Sequence, residues 1–194
     1  MLSLDSVWSI EGPGLNGEIL GRLLIPLPSI KELHLQYMRI APINGDNYSQ
    51  ILTNRKALDV LSIKNVELVG ESPLSSLIDL FQSISSVDSL HIDDVRSEDG
   101  YKNLHDTIAM LSSLDLPTHI QPKSLTMSRL NIANFLFLRT FRELAPGTIQ
   151  SLRIDVPDAR FAIMVGEVDD MMRAIGPGLR ELAIGVEAHY SAST

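Results

Sequence analysis

The chain has 194 residues, 44% of them apolar and 21% charged, with no cysteine and a formal net charge of −8. That is enough apolar material to bury the core of one folded domain, which excludes a disordered chain. Lacking cysteine it has no disulfides and no thiolate metal ligands, and its acidic balance argues against a phosphate-binding or membrane-surface role, since such affinity rests on Lys and Arg.

The N-terminus, MLSLDSVWSIEG, has no basic segment followed by a long apolar one, so it does not read as a signal peptide. No window approaches the ~20 apolar residues of a membrane span. These features predict a soluble intracellular protein, cytoplasmic or nuclear, in a reducing compartment. Asn47-Tyr48-Ser49 matches a glycosylation sequon, which without a secretory signal is read as chance.

Along the chain one pattern returns: Leu, any residue, an apolar residue, then a further apolar residue two or three positions on. It occurs at Leu2–Leu4–Val7, Leu33–Leu35–Met38, Leu61–Ile63–Val66, Leu90–Ile92–Val95, Leu125–Met127–Leu130, Leu152–Ile154–Val156 and Leu182–Ile184–Val186. The first leucines stand 31, 28, 29, 35, 27 and 30 residues apart. Alternation with period two puts the first two anchors of each unit on one side of a short strand. Ile30, Leu58, Val87, Ile149 and Leu179 each precede a first anchor by three residues.

Between the strands the spacing becomes helical. Residues 15–24, 48–58, 73–84, 104–114, 134–144 and 161–175 are the predicted helices, and Leu74, Leu77, Ile78, Phe81 and Ile84 share one apolar face. Pro28, Pro146 and Pro177 fall five or six residues before a first anchor, with Gly147 and Gly178 after two of them. Proline ends a helix and glycine permits the turn beyond it, so this punctuation keeps the phase of the leucines. An alternative α/β sheet with both faces buried would show near-continuous Val/Ile runs instead of polar alternation.

At Ile30–Leu33–Leu35, Val87–Leu90–Ile92 and Leu179–Leu182–Ile184 the chain resembles the leucine-rich-repeat family. The resemblance implies an α/β solenoid of about seven repeats, with a curved parallel sheet on the concave side and helices on the convex side. The family's Asn or Cys, three residues after the second anchor, is replaced by Val7, Met38, Val66, Val95, Leu130, Pro157 and Glu187. In this the chain looks like the irregular repeat regions of fungal F-box-like proteins. What that likeness implies is protein–protein recognition, with substrate capture for a ubiquitin ligase as one form and a structural or regulatory solenoid, such as a receptor's sensor region or a scaffold, as the other. Strands close to both ends predict one domain over 1–194 that is a fragment of a longer chain.

With the anchors inward, the residues between them line the opposite face. Glu32, His34, Gln36, Ser62, Lys64, His91, Asp93, Thr126, Ser128, Arg153 and Asp155 are therefore the candidate partner-binding residues, for a protein partner of unknown identity. Tyr37, Arg39, Asn65, Arg96 and Arg129 stand in the following loops as further contacts. A purely solvated face explains the same polar residues equally well.

Catalytic, cofactor and metal sites are not expected. His34 and His91 occupy equivalent positions two strands apart, roughly 10 Å, which is too far for one metal ion. The acidic run Asp93, Asp94, Glu98, Asp99 lacks the spacing of a calcium loop. Gly12-Pro13-Gly14 and Gly176-Pro177-Gly178 lack the Gly-Lys-Ser/Thr of a phosphate loop, and no serine sits in a nucleophile elbow.

Overall fold

Seven leucine anchors can share one core only if the strands that carry them lie side by side in register. The computed structural model describes residues 1–5, 14–42, 55–70, 73–97, 119–129, 147–157 and 161–187, and it contains that arrangement. Strands β1 (Leu2–Asp5), β2 (Glu32–Gln36), β4 (Lys56–Leu68), β5 (Ile84–Ser97), β6 (Ser124–Ser128), β7 (Ser151–Pro157) and β8 (Glu181–Glu187) pair in that order, every pair parallel. A short β3 (Arg39–Ile40) continues β2 and pairs with β4 off this path. The first anchors form one row from Leu2 through Leu33, Leu61, Leu90, Leu125 and Leu152 to Leu182. The second anchors form the adjacent row, from Leu4 to Ile184.

Two breaks in strict alternation explain the three-residue steps on either side of these anchors. At the strand starts, two successive amides donate to one carbonyl of the preceding strand. Asp59 and Val60 share the Lys31 carbonyl at 2.7 and 3.1 Å, Gln150 and Ser151 share that of Lys123, and Arg180 and Glu181 share that of Gln150. Such a bulge absorbs one residue. Leu58 and Ile149 are therefore buried on the same side as Leu61 and Leu152.

At the strand ends the fourth residue after the first anchor turns left-handed: Tyr37, Asn65, Asp94 and Arg129 have φ of 51, 49, 51 and 48°. The corner brings the next side chain back toward the core. Val66 and Val95 are buried there, and Met38 packs against the core's edge. β7 and β8 have no such corner: they stay extended and paired through Val156 and Val186. This is why their third apolar residue comes one position earlier.

Among the described residues there are three α-helices, α1 (Gly17–Leu24), α2 (Pro73–Gln82) and α3 (Phe161–Ile175). The Asn16 side chain caps α1 by accepting from the Ile19 amide at 2.9 Å. Glu18 and Arg22, one turn apart, pair across its surface at 2.7 Å. Pro73 opens α2, where a missing amide hydrogen costs nothing. Leu20, Leu24, Leu77, Phe81, Met171 and Ile175 join the strand anchors in one apolar cluster, so the helices and the anchors share one side of the sheet.

The expected leucine-rich-repeat solenoid, with its curved sheet and about seven strand–helix units, is overturned. The chain forms an α/β domain on a single parallel sheet with three described helices, not a series of like units. Strand lengths run from 4 residues in β1 to 14 in β5. The helix expected over 48–58 gives way to strand from Lys56 on, because Lys56 and Ala57 pair with β5. Helices expected over 104–114 and 134–144 lie outside the described residues. The leucine period requires parallel strands in sequence order with one buried face; it does not require curvature or a helix behind every strand.

Glycine punctuation has a local cause. Gly147 has φ of +81°, and a Cβ on Gly178 would fall 2.6 Å from the Gly147 carbonyl oxygen, so these two turns stack too closely for a side chain.

Candidate functional site

Parallel pairing brings every predicted face residue to one side of the sheet. One row reads His34, Ser62, His91, Thr126, Arg153 and Ala183; the next reads Gln36, Lys64, Asp93 and Ser128, with Asp155 beside Gly185. Glu32 stands in a third row, beside Val60. Most of these side chains are half-buried by their cross-strand neighbours, and Arg153 is exposed. No described helix packs on this side, because the helices' buried residues belong to the anchor cluster.

The charges on this face are largely matched within it. Arg129 grips Asp93 with two parallel bonds, Nε to Oδ1 and Nη2 to Oδ2, both 2.7 Å. The Lys64 ammonium stands 4.0 Å from the same carboxylate. Arg153 donates from Nε to Asp155 at 3.0 Å, and Asp155 in turn lies over Gly185, where a Cβ would meet its Oδ1. The fork-on-carboxylate geometry at Asp93 is the strongest of these pairings.

Sequence reasoning missed Asp94. It is buried at the left-handed corner and accepts from Arg96 through both carboxylate oxygens, with Arg129 Nη1 3.9 Å away. The signal was its position: Asp94 is the counterpart of Asn65, and Asn and Asp are the side-chain-bearing residues that best tolerate that backbone. Of the other loop candidates, Tyr37, Asn65 and Arg129 are corner residues and Arg39 pairs with Glu67 at 3.2 Å.

His34 Nε2 is buried with no hydrogen-bond partner, the Glu32 carboxylate being 3.8 Å away. Burial, and after it the proximity of His34, lowers the pKa of His91 below its usual 6.5. Near neutrality His91 is thus an uncharged imidazole, able both to donate and to accept. Among the described residues no three His, Asp or Glu side chains come together where they could hold a metal ion. No described helix is long and apolar enough to cross a membrane.

No family model, curated protein or solved structure matches the chain. The likeness to leucine-rich-repeat and F-box-like proteins thus has no support from either architecture or relatives. The two functions built on it, protein capture for a ubiquitin ligase and a receptor or scaffold solenoid, fall with the repeat architecture they presuppose.

Proposed function

We propose that the protein is a non-catalytic binding domain inside the cell, and that the helix-free face of the sheet, from Glu32 to Asp155, meets a polar ligand close to electrical neutrality. The observation that carries this reading is the self-matching of the face. Asp93 is held by Arg129 and Lys64, and Asp155 by Arg153, so little net field remains to attract a charged ligand. The half-buried Ser62, His91 and Thr126 between them offer donors and acceptors in one row.

Topology supports a flat surface over a pocket. Ligand crevices in open α/β sheets form at the strand ends where the strand order reverses, and this sheet adds its strands in sequence order along its main path. A reducing compartment follows from a chain without cysteine.

The test is titration with a panel of uncharged oligosaccharides and neutral polar peptides, followed by amide chemical shifts. Perturbations centred on Ser62, His91 and Thr126, with affinity nearly independent of salt, are expected. Responses confined to the helices, steep salt dependence, or turnover of a panel member would overturn the reading.

A further inference from the structure

The two ends of the sheet differ from its middle in one respect. First and second anchors are buried from β2 through β7, yet in β8 Leu182 and Ile184 remain 48% and 47% exposed. Among the described residues no strand pairs with the outer edge of β8, and none with the outer edge of β1. At the β1 end, α1 exposes Ile19 and Leu23, each 42% exposed and one turn apart on the same flank. Unpaired backbone beside uncovered apolar side chains is a template for another strand.

We infer that the β8 edge takes a second copy of this chain head to tail: β1 of the incoming copy extends the sheet in parallel, and its α1 brings Ile19 and Leu23 to Leu182 and Ile184. Register is what selects this occupant. Leu2 and Leu4 of β1 have the same two-residue spacing as Leu182 and Ile184, so the new pair continues both anchor rows without a shift. An antiparallel β8–β8 contact would instead bring Glu181 of one copy toward Glu187 of the other. The interface joins unlike surfaces, so it does not close on itself and short rows of copies follow. A net charge of −8 on every copy opposes this contact at low salt.

Sedimentation velocity and light scattering of the full chain test it. The mean mass should climb above the 21.4 kDa monomer with protein concentration, and climb further as salt is raised. Ile184→Lys should remain monomeric, as should the double variant Ile19→Lys with Leu23→Lys. Mixing the two should give a 1:1 pair of twice the monomer mass and nothing larger, because each retains one intact end. These positions are half exposed, so both variants should melt cooperatively. Should either not fold, slower hydrogen exchange at the amides of Glu181–Glu187 with rising wild-type concentration provides the same readout. A wild type that stays monomeric at its solubility limit in high salt, or an Ile19/Leu23 variant that dimerises by itself, would overturn the inference.

Discussion

The middle of the sheet and its β8 end are built from the same anchors and differ in how those anchors are enclosed. In β4 and β5 a left-handed corner at Asn65 and Asp94 turns a third apolar residue, Val66 and Val95, back into the core. In β7 and β8 the strand runs straight on, and at β8 even the principal anchors stay half exposed. An identical leucine therefore has a different energetic weight according to what lies beyond it. Anchor burial belongs to the neighbouring strand and helix as much as to the residue itself.

Leucine 90 and leucine 182 give the largest expected contrast. Leu90→Asp puts a carboxylate into the fully buried row and should cost more than about 4 kcal/mol, unfolding the middle of the sheet. Leu182→Asp, at a half-exposed anchor, should cost under about 1.5 kcal/mol in the same urea titration. Equal losses would mean that the ends are as enclosed as the centre.

A second contrast lies in the glycines. Gly178→Ala forces a methyl group against the Gly147 carbonyl and should destabilise by about 1–3 kcal/mol. Gly166→Ala, on exposed helix with nothing within 4 Å, should stabilise by about 0.5–1 kcal/mol. Opposite shifts in melting temperature are the readout.

The corners can be probed directly. Asn65→Val supplies the residue that β7 carries at its uncornered equivalent, Val156, and should cost about 1–2 kcal/mol by forcing a branched side chain into left-handed backbone. Tyr37→Asn should move stability the other way, by about 0.5 kcal/mol. If Asn65→Val were neutral in chemical denaturation, the corner would not be the reason for the three-residue step.

On the polar face the expected effects are smaller. A double-mutant cycle between Asp93 and Arg129 should yield a coupling of about 0.5–1 kcal/mol, since both side chains remain partly exposed. From sequence, Asp93 reads as a solvated position whose replacement by alanine hardly matters; its two bonds to Arg129 revise that expectation upward. His91 has a folded pKa below its unfolded 6.5, so the unfolded chain binds more protons between those values. Its contribution is complete above pH 6.5 and declines as pH falls through the window beneath it. Stability profiles over that range should be flatter for His91→Gln than for the wild type.

Sequence alone determined the strands and their register. Period-two leucines recurring every 27 to 35 residues place Leu33, Leu61, Leu90, Leu125 and Leu152 in one buried row, because any slip by one residue would expose them all. The face opposite them, from His34 to Arg153, was legible for the same reason. Only the tertiary structure decided what surrounds the sheet. Leucine spacing is indifferent to curvature, to strands of 4 or 14 residues, and to whether a helix stands behind each one, so it suggested a repeat solenoid where an α/β domain forms. The Arg129–Asp93 fork and the buried Asp94 depend on corners that bring neighbouring strand ends together, and backbone handedness at Tyr37 or Arg129 is set by packing against the intrinsic preference of those residues.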